Sequence, residues 1–182
     1  MAAIKHLLAM KIKELLTDSC ITAIKDSDLT KVEQIVLRKM TGAPRLGLVI
    51  MHFDPLLLEG RGDKIVSARQ YATDGLGYPS RDSTGTTYDR VNGTVEVIAN
   101  LTRTREDMED ADEIIQEVVA RVEYTLRRNR AAFRAIPKDD YDRFIYDFTI
   151  VDTMEYDSGA GNANLARSFI RWTAIVNSGT GR

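Results

Sequence analysis

The stretch TREDMEDADEIIQEVVARVEYTLRRNR, residues 104–130, decides the fold. Met108, Ala111, Ile115, Val118, Val122 and Leu126 recur at three- and four-residue steps, which places them on one face of an α-helix. Thr104 and Asp107 stand at capping-box spacing, with Asp in place of the longer Glu. The first turns carry Glu106, Asp107, Glu109, Asp110, Asp112, Glu113 and Glu117, and the last carry Arg121, Arg127, Arg128 and Arg130. Acid at the start and base at the end complement the helix dipole. The gradient therefore has a stabilising role that needs no ligand.

Strands flank this helix in the sequence. Before it, Val95, Val97, Ala99 and Leu101 alternate with Glu96, Ile98 and Asn100, just after the tight-turn dipeptide Asn92-Gly93. After it, Pro137 breaks the chain. Phe144, Tyr146, Phe148 and Ile150 then alternate with Ile145, Asp147, Thr149 and Val151. Leu165 to Val176 forms a second alternating run, with Arg167, Phe169, Arg171 and Thr173 on one face and Ser168, Ile170, Trp172 and Ala174 on the other. The glycine-rich piece Asp157–Asn162 lies between the two runs, so they are expected to pair as a long hairpin.

Towards the N-terminus, Leu46 to Phe53 is a continuous apolar run between Pro44 and Pro55, expected as a strand buried on both faces. Lys64 to Gln70 fits a further short strand. Val32, Ile35, Val36 and Met40 fit a short helix, whereas Val32, Gln34, Val36 and Arg38 fit a strand equally well. Residues 17–30 read as a polar loop around Cys20–Ile24. Ile4, Leu7, Leu8, Ile12, Leu15 and Leu16 make the apolar stripe of an N-terminal amphipathic helix. This order predicts an α+β fold: a mixed or antiparallel sheet, a long helix packed on one face, an N-terminal helix and a C-terminal β-hairpin. One domain is expected over residues 1–182, with a flexible loop at about 71–90 and a frayed tail at about 177–182.

Composition narrows the function classes. A chain of 182 residues can bury a core without metal or disulfide staples. Its net charge of −2 provides no global field for nucleic acid. The lone cysteine, Cys20, implies no disulfide and reads as a small core residue. No apolar run approaches the roughly 20 residues needed to span a bilayer, and Lys5, His6, Lys11, Lys13 and Glu14 interrupt the N-terminal stripe against a signal peptide.

Catalytic signatures are not legible. His6 and His52 have no metal-ligand spacing relative to each other or to Cys20. The acidic run Glu106–Glu113 lacks the alternating ligands and central Gly of a calcium loop. Gly60-Arg61-Gly62-Asp63-Lys64 lacks P-loop spacing, Gly75 and Gly77 lack the third Gly of a dinucleotide fingerprint, and no Gly-x-Ser-x-Gly elbow occurs. The expectation is a protein that is no enzyme and uses no cofactor or metal. Two features point instead to contacts. The 71–90 stretch interleaves Tyr71, Tyr78 and Tyr88 with glycine and serine, which suits a partner-binding loop, a mobile loop with incidental aromatics, or a lid over a ligand site. Arg103, Arg105, Arg127, Arg128, Arg130 and Arg134 suit interface ion pairs, opposite acids such as Glu109, Asp110 and Glu113.

One resemblance covers most of the chain as topology. The N-terminal helix, the strand after Gly42-Ala43-Pro44, a loop, a strand running into Thr102-Arg103-Thr104-Arg105, the long helix, and a hairpin ending Arg171-Trp172-Thr173-Ala174-Ile175-Val176 resemble the tail terminator proteins of long-tailed bacteriophages. Related neck, head–tail joining and tail-completion proteins share this order. The resemblance implies a structural virion protein at the tail and neck, assembled in the host cytoplasm. It would form a homohexameric ring that caps the tail tube, ends its polymerisation and joins the tail to the head connector. The implied partners are other copies of the chain, the tail tube protein, a head-side connector or neck protein and a sheath, with DNA passing through the lumen without specific binding and no membrane involved. The alternative class is a small ligand-binding domain or enzyme with residues 71–90 as its lid.

Overall fold

The computed structural model describes residues 4–23, 25, 30–37, 40–42, 44–52, 66–67, 87–100, 107–139, 142–156 and 165–177. The architecture is α+β: one mixed sheet with helices packed against it. Among the described residues six strands contribute, β1 (Gln34–Leu37), β2 (Leu46–His52), β3 (Val66–Ser67), β4 (Thr87–Asn100), β5 (Phe144–Tyr156) and β6 (Leu165–Asn177). The helices among the described residues are α1 (Ile4–Thr17), the long α2 (Asp107–Arg128) and the short α3 (Arg130–Arg134). Strand order is β1-β2-β4-β6-β5, with β3 pairing β4 beyond the end of β2. The β1–β2 pair is parallel and the remaining pairs are antiparallel.

The helices bury the apolar stripes that their periodicity announces. Ile4, Leu8, Ile12 and Leu16 of α1 and Ile115, Val118, Val122 and Leu126 of α2 are all buried. They share one core with Leu46, Leu48 and Ile50 of β2, Val91, Val95, Val97 and Ala99 of β4, and Ile170, Trp172, Ala174 and Val176 of β6. These strand residues occupy alternate positions and register with one another across the sheet, so they line a single face. Phe133 of α3 stacks on Phe148 of β5 at a centroid distance of 3.9 Å, and Phe148 meets Trp172 at 5.7 Å.

The structure decides four local points. Residues 17–30 are not all loop: the four-residue spacing of Ile4, Leu8, Ile12 and Leu16 continues to Cys20, and the chain follows it in a π-helical turn, Asp18–Thr22. Thr22 Oγ1 donates to the Thr17 carbonyl at 3.2 Å, matching the wider turn. The segment that fits helix or strand resolves to a strand, because Gln34 to Leu37 finds parallel partners in Gly47 to Ile50. Asn92-Gly93 is no turn. It lies within β4, where Gly93 pairs His52 on one side and Trp172 on the other, so two ladders outweigh a local turn preference.

The fourth point concerns β5. Irregularities between Ile145 and Asp147 and between Ile150 and Asp152 shift its register against β6. The first switches the parity of the alternation, so the core-facing set is Ile145, Phe148 and Ile150 rather than Phe144, Tyr146, Phe148 and Ile150. Bulges also blunt this edge strand against uncontrolled pairing.

Of the expected 71–90 loop, Thr87 to Arg90 belong to β4, and residues 71–86 lie outside the described residues. The same holds for residues 178–182 of the expected frayed tail, whereas Asn177 ends β6. The apolar run 46–53 is strand from Leu46 to His52, and the expected short strand at 64–70 is described as Val66–Ser67.

Candidate interaction surfaces

The outer side of α2 presents the first surface. Its sequence stripe of core residues fixes which residues point away, namely Glu113, Gln116, Glu117, Ala120, Tyr124, Arg127 and Arg128, all exposed. Arg127 meets Glu123 at 3.4 Å, and Arg121 meets Glu117 at 2.8 Å. Arg121 also reaches the Thr30 hydroxyl at 3.0 Å and so fastens α2 to the segment before β1. Arg128 donates to the Tyr124 phenol at 2.7 Å, with its guanidinium 5.8 Å from the ring centroid. These exposed pairs contribute little to stability, roughly 0–1 kcal/mol each, so partners can exchange at low cost.

The start of α3 departs from this pattern. Asp147 of β5 is buried, and it accepts from Arg130 through Nε at 2.7 Å and from Arg134 at 3.4 Å. The register shift beside Tyr146 pairs Asp147 with Ile175, and Arg130 and Arg134 reach its carboxylate from α3. Arg130 is thus an internal clamp as well as a surface cation.

The second surface is the sheet face turned away from the core, formed by the intervening residues. Thr94, Glu96 and Ile98 of β4 register with Arg171, Phe169 and Arg167 of β6. Arg171 ion-pairs with Asp152, and its hydrogen bond holds the Asp152 carboxyl below the usual range. Val49 and Ile175 on this face are buried without joining the helix-side core. Gly47, opposite Gln34, gives room for Met40: a Cβ there would overlap the Met40 Sδ and Cε atoms and crowd the Pro44 Cγ at 3.2 Å.

Glu96 is the strained group of this face. It is 8% exposed, and its Oε1 has no hydrogen-bond partner among the described residues although Arg167 stands 3.4 Å away. Thr94 Oγ1 and Gln34 Oε1 are likewise buried without a partner. Burial pushes the Glu96 carboxyl up, and the Arg167 charge opposes this in part. An acid whose folded pKa is raised supports the fold fully below its unfolded pKa and loses that support as pH rises through the folded value. Glu96→Gln removes the ionisation and is expected to gain stability relative to the parent at neutral pH, with the gain shrinking towards about pH 4. Urea unfolding at both pH values measures it; a difference independent of pH would mean that Glu96 does not titrate in this range.

The third surface is a groove of about 600 Å³ between α1 and the α3 exit, lined by Leu7, Met10, Lys11, Glu14, Ala132 and Ile136 among others.

Of the interface candidates read from the sequence, Glu113, Arg127 and Arg128 lie together along the outer side of α2, and Arg130 follows at the start of α3. Glu109 and Asp110 belong to the first turns of α2, and Tyr88 lies in β4 opposite Val66 and Asn177. The side chains of those three, and Tyr71, Tyr78, Arg103 and Arg105 altogether, lie outside the described residues. Sequence reasoning missed Asp147 and Glu96. Each alternates with the core-facing set of its strand, Glu96 with Val95 and Val97 and Asp147 with Phe148, so local spacing marked both as outward and carried no signal of their burial.

Cys20 is fully buried, and burial pushes its thiol up, which suits a packing residue rather than a nucleophile. Among the described residues no three His, Cys, Asp or Glu side chains gather as metal ligands, and no helix is long and apolar enough to cross a membrane. No protein-family model matches the chain, and no curated protein matches it in sequence.

Proposed function

We propose that the chain is a structural subunit of a bacteriophage tail, forming a ring that caps the tail tube, stops its growth and meets the head-side connector. The observation that carries this reading is the pair of unlike flanks on one sheet. A ring closes through heterologous contacts, so each subunit needs two different, complementary sides. One flank is the long edge strand β5 with exposed Val151 and Met154, beside Arg130 and Arg134. The other is the short parallel strand β1, beside the exposed Glu33. The topological resemblance to tail terminators supports the assignment and implies six subunits. The helix layer and the opposite sheet face then serve as outward and inward surfaces.

The test is mass and shape. Sedimentation and negative-stain images of the purified protein, alone and with tail tubes, are expected to show closed rings or rings at tube ends. A chain that neither forms rings nor binds tube overturns the reading.

A further inference from the structure

The long helix has a second periodic face besides its core stripe. Glu113, Glu117, Ala120, Tyr124, Arg127 and Arg128 recur at one- to four-residue steps along its exposed side. Tyr124 is 61% exposed, more than any other large apolar side chain among the described residues. It is held in place rather than loose, since Arg128 lies over the ring and bonds the phenol. Tyr and Arg are the residue types that dominate binding energy at interfaces, and a rigid aromatic loses little entropy on docking.

The order of the stripe is acid, acid, small, aromatic, base, base. Reversed in direction and laid against itself, such a stripe is complementary along its length. We propose that α2 docks antiparallel on α2 of a second copy of this chain, about a two-fold axis near Val122. Tyr124 of each copy covers Ala120 of the other, where the missing bulk lets the helices approach. Glu117 of each copy faces Arg127 of the other, and Gln116 faces Arg128. Glu113, which makes no ion pair among the described residues, adds to the acidic end. The intrahelical pairs Arg121–Glu117 and Arg127–Glu123 do not block this, because both are partly exposed pairs of the kind that re-form at low cost.

This contact is isologous, unlike the head-to-tail contacts of a ring. It joins two free subunits, or two rings through their outward surfaces. It stands whether or not the tail reading does.

The double variant Glu117→Cys with Arg127→Cys tests the geometry. On one helix these positions are about 15 Å apart, too far for an internal disulfide, which needs Cα atoms within about 7 Å. The native Cys20 is fully buried and takes no part. Mild oxidation is expected to give a covalent dimer that stops at two chains, since a two-fold pair closes both bridges on itself. A ladder of higher species would mean head-to-tail contacts and would overturn the proposal, as would the absence of cross-linking. Charge supplies the second arm. Arg127→Glu with Arg128→Glu is expected to raise the dimer Kd by at least about tenfold at low salt, and adding Glu117→Arg is expected to recover most of it. Loss without recovery, or no loss, also overturns the proposal. Failure on tail tubes with the dimer intact would sink only the tail reading.

Discussion

Phe148→Ala is expected to destabilise the protein by roughly 3–5 kcal/mol, the range for deleting a buried aromatic ring. Phe148 is 2% exposed and lies between Phe133 of α3 and Trp172 of β6. Its removal leaves a cavity where the short helix, the edge strand and the central strand meet. Neither aromatic neighbour can collapse freely into it. Phe133 is held by the α3 backbone, and α3 is fixed in turn by Arg130 and Arg134 on Asp147. Trp172 sits in a strand paired on both sides. Phe148→Leu keeps most of the volume and is expected to cost less, about 1–2 kcal/mol. The chain has a single tryptophan, and it is buried, so its emission reports unfolding directly in urea. A loss below about 1 kcal/mol for the alanine variant would show that the aromatic stack does not organise this corner.

Asp139→Ala has the second large effect. The Asp139 carboxylate accepts the Ile4 backbone N–H at 3.2 Å and, from Arg143, the backbone N–H at 3.0 Å and Nε at 2.8 Å. Its side chain is fully buried, while that of Arg143 is 26% exposed. The acid thus ties the first turn of α1 to the entry of β5, across 135 residues of sequence. An N-terminal helix dipole and a cation both face the same carboxylate. Truncation leaves a helix-start donor and a partly buried guanidinium without their acceptor, a loss of roughly 3 kcal/mol. Faster amide hydrogen exchange is expected through the first turns of α1. The adjacent exposed pair Lys138–Asp142, at 2.7 Å with side chains 56% and 77% exposed, is the internal control. Breaking it is expected to cost no more than about 0.5–1 kcal/mol. Equal losses for the two pairs would refute the distinction drawn from burial.

Much of this molecule is legible in one dimension. The 3.6-residue period of α2 needs no partner to be read, and its buried set includes Ile115, Val118, Val122 and Leu126 as the spacing requires. The antiparallel pairing of β5 with β6 follows from two long alternating runs. The acid-to-base order on α2, and with it the self-complementary stripe, is likewise written in adjacent letters, because a helix converts sequence spacing directly into a surface.

Other features depend on partners distant in sequence. Asn92-Gly93 carries a genuine local turn preference, yet β2 and β6 pair across it. The parity of β5 changes at Tyr146 because the strand must present Ile145 to the core and Asp147 to Arg130. Residues 34–37 are too few for periodicity to decide, and only the edge of β2 makes them a strand. The sequence by itself therefore determined the long helix, its charge order and the fold class, since these rest on contacts within a few residues. The tertiary structure alone decided the parallel edge, the strand register and the buried acids Asp139, Asp147 and Glu96. Each of those depends on which distant groups remove water from a given side chain, and local spacing carries no record of that.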